Sequence, residues 1–581
     1  MQNLPVPGVG GAARRRVAIG PLVLAFVLVL AMACAPSQPA SPAATAAPSK
    51  PAEPAKPAEA AKPTVAAAKP AEPAKPAEAA KPAEAAKPAA AKPKVEPKGQ
   101  IVLAMPEESP TLEIHQAYAS YGYPVLRNVG EALLNRDPKT NELVPELATK
   151  WERSNPTTWR FTLRKGVTFH DGSPFTAEAA AFSLAHSWSK DNNFRLRQFV
   201  GPEMTFKAVD ESTLDVMTES PDPILPARLY FAAISSMKQH KESPGDFVSK
   251  PIGTGPYKFV EWVKGQHIKL TVNPDWWGHG ASDAGGVASI KDVTFLLRPE
   301  REVRTAMVKR GEADIARWVT VEQCKEAPTC TFGPSIETVF LRFDVTNVAM
   351  KDKRVREALA LSVDKQAVIE DIMGGGTVAH QLVGPSAVGH NASLKPYPYD
   401  PNRAKQLLAE AKAAGVPIDA QLTNYARRAY VVRLEEATEA ITDMFKQVGF
   451  PNVQTRILET AAHAEIWGQP KPIAPERGMI GTHVHGNEIM DFSATISTYY
   501  SCKGRLSTFC DEKIDEMNNA ALPLTGAERA KAYEELAKYL HEQVYTVPIG
   551  HPNFYFGVSK RVDWKIRLDG FILLKEMTLK D

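Results

Sequence analysis

The spacing of apolar and polar positions along residues 99–581 changes repeatedly between the two-residue period of strands and the wider period of helices. Residues 101–105 form an apolar run that ends before Pro106, residues 159–163 alternate Trp, Phe and Leu with Arg and Thr, and residues 453–458 follow a helical segment. Such runs over four to eight residues are typical of strands. We therefore predict short strands at these three places.

Helices are predicted where a capping residue precedes apolar positions at helical spacing. Thr176, Asp352, Asp364 and Asp400 are the predicted N-caps, because Thr and Asp side chains accept hydrogen bonds from the free N–H groups of a first helical turn. Residues 431–448 form the longest amphipathic pattern. Helices that alternate with strands in this way predict an α/β fold built in layers.

The N-terminus has the features of an export signal. Three arginines at 14–16 precede an apolar run, and small residues then lead to Cys34. Residues 30–34 resemble a bacterial lipobox, although Ala31 stands where such motifs usually have Leu. We predict that residues 1–34 are a lipoprotein signal peptide and that Cys34 is lipidated. The alternatives are ordinary cleavage after Ala33 and an uncleaved anchor, for which the apolar run is short against a bilayer core of roughly 30 Å.

Residues 35–98 have the composition of a linker. The same fourteen-residue segment occurs at 50–63 and again at 69–82, with proline every few residues. Proline removes backbone donors and favours extended polyproline II, so this segment cannot form a core. We predict a Pro/Ala/Lys tether, and docking of its prolines to an aromatic groove is the alternative.

The charge of the chain changes sign once this N-terminal segment is set aside. The whole chain has 69 Lys and Arg against 66 Asp and Glu, and the first 98 residues contain 13 basic and 6 acidic residues. The remainder therefore has 56 basic and 60 acidic residues, a net charge of −4. Because nucleic-acid binding domains are usually basic, nucleic acid is excluded as a partner.

Four cysteines remain if Cys34 is lipidated, and they form two close pairs, Cys324 with Cys330 and Cys502 with Cys510. Two local disulfides would suit an oxidising compartment. Zinc ligation is the alternative, but neither spacing is C-x-x-C and no histidine lies at finger-like spacing from either pair. We predict the disulfides.

Seven segments form a further pattern, and they lie at 131–137, 143–148, 159–164, 167–172, 253–257 (Gly-Thr-Gly-Pro-Tyr), 355–359 and 400–408. Taken in order, they resemble the bacterial extracellular solute-binding proteins of family 5, which bind dipeptides, oligopeptides or nickel for ABC importers. Each segment alone is a weak signal, but together they follow the family's order over residues 99–575.

The resemblance implies a two-lobed periplasmic-binding-protein fold of type II, cluster C-like, with an extra inserted subdomain. The two lobes would close around a ligand by bending at a hinge. The implied boundaries are 99–140 with 251–345 and 540–581 for lobe I, 141–250 for the inserted subdomain, and 346–539 for lobe II.

The resemblance also suggests ligand contacts. In peptide-binding relatives, an Asp after a Gly-Trp segment holds the α-amino group of the ligand, and the corresponding stretch here, 483–492, lacks the Trp. Asp491 and then Glu488 are the candidates, while a helix N-cap is the alternative role for Asp491. Aromatic and imidazole rings could stack on the ligand or simply pack in a core; these are His115, Tyr118, Tyr121, Tyr123, Tyr499 and Tyr500.

Metal and enzyme sites are less well supported. His483 and His485 would share one face of a strand, but two possible ligands without a third do not make a metal site. Residues 384–389 have the wrong spacing for a nucleophile elbow, and the sequence contains no G-x-S-x-G, H-E-x-x-H or phosphate-binding P-loop motif.

We therefore predict a monomeric, extracytoplasmic lipoprotein without enzymatic activity, cofactor or metal. It would bind a small solute, a peptide in first place, and deliver it to an ABC permease. The alternatives are a metal-chelate binding protein of the same family, a secreted hydrolase and a peptide-handling chaperone.

Overall fold

The computed structural model of this protein describes residues 96–115, 122–192, 194, 196–197, 201–467 and 480–580. The predicted signal peptide, Cys34 and nearly all of the predicted tether lie outside these residues. Within the described part of the chain, no helix combines the length and the apolar character needed to cross a bilayer.

The described residues contain twenty strands, which form four sheets. In chain order they are β1 Lys98–Met105, β2 Leu134–Arg136, β3 Leu143–Pro145, β4 Ala148–Asn155, β5 Thr158–Leu163, β6 Met204–Asp210, β7 Thr213–Thr218, β8 Tyr257–Val263, β9 His267–Val272, β10 Ile290–Leu297, β11 Ile315–Arg317, β12 Thr329–Pro334, β13 Glu337–Phe343, β14 Gly376–Val378, β15 Leu422–Arg427, β16 Val453–Leu458, β17 Ile480–Gly486, β18 Thr546–Val558, β19 Val562–Asp563 and β20 Thr578–Leu579.

The largest sheet is mixed and has twelve strands in the order β16-β15-β17-β13-β18-β11-β1-β10-β9-β8, with β12 and β14 also pairing with β18. The 13-residue β18 pairs with β13 through residues 546–550 and with β11 and β12 through its later residues. One long strand therefore holds two groups of strands in a single sheet. A separate antiparallel sheet has the order β4-β5-β7-β6.

Helices cover these sheets. The α-helices are α1 Tyr123–Val129, α2 Ala177–Trp188, α3 Leu225–Leu229, α4 Met237–Glu242, α5 Arg301–Arg310, α6 Val321–Glu326, α7 Val348–Lys351, α8 Lys353–Ser362, α9 Lys365–Ala367, α10 Pro401–Ala413, α11 Leu434–Val448, α12 Thr460–Trp467, α13 Phe492–Thr495, α14 Glu512–Ala521 and α15 Gly526–Gln543. Two π-helical turns, Val368–Ile372 and Ile496–Tyr500, follow α9 and α13, and a 3₁₀ turn spans Leu574–Glu576.

The local predictions are largely confirmed. Strands occur at all three predicted places, and the side chains of Thr176, Asp352, Asp364 and Asp400 each accept a backbone N–H of the helix that follows. The long amphipathic helix begins later than predicted, at Leu434. Its preceding residue, Arg433, has φ 62°, a left-handed conformation that cannot continue an α-helix.

Part of the family-like sequence pattern reflects packing. A Cβ atom at Gly253 would lie 2.3 Å from the carbonyl oxygen of Val129, and one at Gly255 would lie 2.6 Å from that of Asn128. Only glycine allows the backbone of the Gly-Thr-Gly-Pro-Tyr segment to lie so close to the end of α1. This motif is therefore explained by the fold.

The three largest groups of buried apolar side chains in the described part of the chain take their members from different segments. One contains residues of β1, β10 and β11 with the end of β18, a second is built mainly from residues 133–234, and the third from residues 339–549. The division into two lobes and an inserted subdomain, with the boundaries given above, stays a prediction.

Both predicted cysteine pairs are bonded in the structure, Cys324 with Cys330 and Cys502 with Cys510. We expect iodoacetamide to label none of these four cysteines in the denatured, unreduced chain, and all four after reduction. Peptide mass spectrometry measures both states in one preparation, the reduced sample being the control. Complete labelling of either pair without reduction would contradict the assignment.

Candidate functional site

Two carboxylates meet at the end of β17. Glu337 opens β13 and lies opposite Gly486, the last residue of β17, while Glu488 follows two residues later. A Cβ atom at Gly486 would lie 3.0 Å from Oε1 of Glu488 and 3.2 Å from Oε1 of Glu337. The two acidic side chains therefore flank the same glycine, whose missing side chain leaves room for them.

The environment of Glu337 favours its neutral form. Burial and then the negative charge of Glu488 raise the pKa of Glu337, Arg427 opposes both effects, and the resulting pKa is about 8. Its Oε2 atom is buried and forms no hydrogen bond with a described residue. This carboxyl group therefore keeps its proton near neutral pH and has one oxygen that no described residue engages.

Aromatic rings surround the two acids. Burial and the charge of Glu337 raise the pKa of Tyr430, and burial raises the pKa of Tyr499 to about 12, with both glutamates contributing. A cavity of about 40 Å³ lies against Glu337. Its lining includes Trp318, Met373, Tyr430, Phe554 and Tyr555.

Residues from the β1 and β11 side of the sheet face the same region. Glu107 follows β1, and its pKa is raised by burial, while Arg317 at the end of β11 and Arg427 at the end of β15 oppose that shift. Arg427 therefore lies within electrostatic reach of Glu107 and of Glu337. Its guanidinium lies 3.4 Å from the centre of the Tyr430 ring. Acidic, basic and aromatic side chains from several strand ends thus converge on one space.

The structure gives Asp491 the capping role that was the alternative for it. Its carboxylate accepts the backbone N–H of Ser493 at the start of α13 and a bidentate pair of hydrogen bonds, both 2.8 Å, from Arg529. Asp491 is 2% exposed. Both oxygens are engaged inside the protein, so we base the ligand proposal on Glu488 and Glu337, and a ligand role for Asp491 stays an untested prediction.

The tyrosines predicted to contact the ligand differ in whether they lie near the two glutamates. Tyr499 lies in the π-helical turn near Glu488 and Glu337, as described above, whereas the hydroxyl of Tyr500 lies 2.7 Å from Oγ1 of Thr546. Tyr118 and Tyr121 lie outside the described residues. The Tyr123 ring lies 4.3 Å from that of Phe571, and burial and then Glu488 raise the pKa of its hydroxyl.

His115 is buried away from these carboxylates in a separate cluster of histidines. Burial lowers its pKa, and its Nε2 atom lies 3.0 Å from Oγ of Ser183. His483 packs against Trp467, and Nε2 of His485 lies 2.8 Å from Oγ1 of Thr495. Neither His483 nor His485 belongs to a cluster of three metal-binding side chains among the described residues.

Sequence reasoning missed Glu337, Arg427 and Tyr430. The available signal was an acidic residue at the start of the strongly apolar segment 338–343. That signal does not indicate a site by itself, because the second carboxylate is distant along the chain and only the pairing of β13 with β17 brings the two together.

Comparisons with known proteins agree with this fold. Residues 142–504 match the family model described as "Bacterial extracellular solute-binding proteins, family 5 Middle". The dipeptide-binding protein of Escherichia coli is 28% identical over 466 residues, which cover 73% of this chain and 83% of the relative. The heme-binding protein A of Haemophilus influenzae is 25% identical over 462 residues, 73% of this chain and 81% of the relative.

A solved structure has the same fold. The ABC transporter-associated periplasmic binding protein DppA of Helicobacter pylori, in complex with a peptide, superposes with a TM-score of 0.70 at 20% identity. The superposition covers 84% of this chain and 99% of the other.

Proposed function

Because the chain belongs to the bacterial extracellular solute-binding proteins of family 5, which serve ABC importers, we propose that it captures a small solute with a protonated amine. A short peptide is the ligand we place first. The chain would then deliver this ligand unchanged to a permease, acting without catalysis.

The observation that supports this ligand class is the pair of Glu337 and Glu488. Two carboxylates close together in a buried site resist ionising together, and a cation between them removes that cost. An ammonium group can donate charge-assisted hydrogen bonds to both carboxylates. Oε2 of Glu337, which no described residue engages, can accept one of these bonds once the carboxyl group has lost its proton.

The size of the cavity supports a protein that must open to admit its ligand. About 40 Å³ is far smaller than the roughly 300–1,000 Å³ of pockets that hold small-molecule ligands. A peptide could enter only if the residues after β1 and β11 moved away from those of β13, β15 and β17. This agrees with the predicted hinge closure of two lobes, with β18 passing between them.

We further propose that the chain is held at the outer side of a membrane by a lipid on Cys34. The sequence features that support this are the apolar leader and the lipobox-like residues 30–34. The Pro-rich tether would give the binding domain its reach from the surface.

Binding of a cationic peptide is expected to release about 0.9 protons at pH 7. Glu337, with a pKa of about 8, is mostly protonated before binding and must ionise to pair with an ammonium group. For the same reason, apparent affinity should be about tenfold lower at pH 6 than at pH 7. Isothermal titration calorimetry with the tightest binder from a di- and tripeptide panel, repeated in buffers of different ionisation enthalpy, measures both quantities.

Glu337→Gln is the control for this experiment, because it removes the titrating group while retaining its shape. The variant should release almost no proton at pH 7. Proton release of the same size in wild type and variant would show that another group titrates.

A further inference from the structure

Three histidines from three separate segments come together away from the carboxylate site. His115 lies in the loop after β1, His186 near the end of α2, and His240 in α4. One ring nitrogen from each lies within 4.8 Å of the others, and this is the only such cluster among the described residues. The centroids of their rings are 4.6 to 5.8 Å apart.

A buried carboxylate lies next to two of these three rings. Oε1 of Glu113 lies 3.3 Å from Nε2 of His186 and 3.9 Å from Nδ1 of His115, and the Glu113 side chain is 3% exposed. Metal-binding histidines commonly use their second nitrogen to contact a carboxylate, which fixes the ring and raises its basicity. The negative charge also offsets part of the charge of a divalent cation.

Hydroxyl, amide and apolar groups complete the surroundings, the amide being that of Asn192, whose Nδ2 lies 3.3 Å from Nδ1 of His186. Oγ of Ser235 lies 3.2 Å from Nε2 of His115 and 3.0 Å from Nε2 of His240. Phe194 and Phe247 lie against the outer sides of the imidazoles, with Phe247 stacked on His240 at 4.3 Å. Apolar side chains around a cluster of ligands limit the access of solvent.

From this geometry we infer that His115, His186 and His240 bind one first-row divalent transition-metal ion, with Glu113 as the supporting carboxylate. Three imidazoles are a donor set suited to Zn²⁺, Ni²⁺ or Cu²⁺. Tetrahedral Zn–N bonds of about 2.0 Å place ligand nitrogens about 3.3 Å apart, so small rotations of the side chains complete the site. A bound ion would link the loop after β1 to α2 and α4, a structural role independent of the proposed peptide function.

The test uses the mature chain without an affinity tag, stripped with EDTA and titrated with Zn²⁺ by calorimetry. We expect one Zn²⁺ per chain. His186→Asn and His240→Gln should each weaken binding by at least 10-fold, and Glu113→Gln by about 10- to 100-fold, as changes around metal sites do. Co²⁺ substitution of the wild-type chain should give the visible absorption of a tetrahedral nitrogen-rich site.

The control is His380→Gln, which alters another close pair of histidines, His380 and His390, with ring centroids 4.9 Å apart. It should leave Zn²⁺ affinity unchanged. Thermal melts in EDTA establish that each variant is folded. No Zn²⁺ binding by the folded wild-type chain, or unchanged affinity in the folded His186→Asn and His240→Gln variants, would overturn the proposal.

Discussion

Glu337→Gln is expected to weaken the binding of free-amine peptides by about 100-fold at pH 7. Removing one partner of a buried, hydrogen-bonded charge pair typically costs about 2–5 kcal/mol of binding free energy, and each 1.4 kcal/mol corresponds to tenfold in Kd. The amide keeps the shape of the side chain but cannot carry the charge that would pair with an ammonium. Calorimetry with the tightest binder from the peptide panel measures the effect.

Glu261→Gln is the matched control, because it makes the same change on β8 at an exposed glutamate paired with Lys269. Its affinity should equal that of the wild-type chain. If Glu337→Gln binds the same peptide within about threefold of wild type, the carboxylate pair is not the amine site.

Asp491→Asn is expected to lower the free energy of unfolding by about 3–5 kcal/mol while leaving peptide affinity within about twofold. The Arg529–Asp491 pair is buried, with side chains 4% and 2% exposed. Breaking such a pair leaves an uncompensated buried charge, the most expensive consequence of a single polar substitution. Urea denaturation followed by tryptophan fluorescence measures stability, and calorimetry on the folded variant measures affinity.

Asp419→Asn is the control for this second experiment, since it changes the Asp of an exposed ion pair with Lys412. Exposed pairs contribute about 0–1 kcal/mol, so its stability should barely change. A large loss of peptide affinity in Asp491→Asn with wild-type stability would restore Asp491 as the ligand contact and refute the structural role given to it here.

Much of the fold could be predicted from local sequence patterns. The N-caps at Thr176, Asp352 and Asp400 depend on hydrogen bonds over two or three residues, and the strand at 453–458 depends on its own composition and the helix before it. Interactions between residues only a few positions apart can be predicted from the sequence alone. The start of α11 was missed because the left-handed conformation of Arg433 has no signal in the residue type.

The candidate site could be predicted only in part, because its residues come together through strand pairing. Glu488 was identified from its position in a family-like stretch and Tyr499 as an aromatic candidate, whereas Glu337 becomes recognisable only when β13 pairs with β17. Asp491 is of the residue type expected for a contact with an amine. However, both its oxygens accept hydrogen bonds from Arg529, which lies in a different helix and could not be paired with it from the sequence. Residue type and order cannot distinguish an unengaged carboxylate from one already paired.

The central claim, that this protein binds a free amine and releases its ligand unchanged, is tested most directly by competition. The chain is equilibrated with equal amounts of its tightest-binding peptide and the N-acetylated form of that peptide, and the complexes are weighed by native mass spectrometry. We predict a one-to-one complex with the free-amine peptide alone, recovered at its original mass after release. Equal capture of both forms, or recovery of a cleaved peptide, would contradict the account.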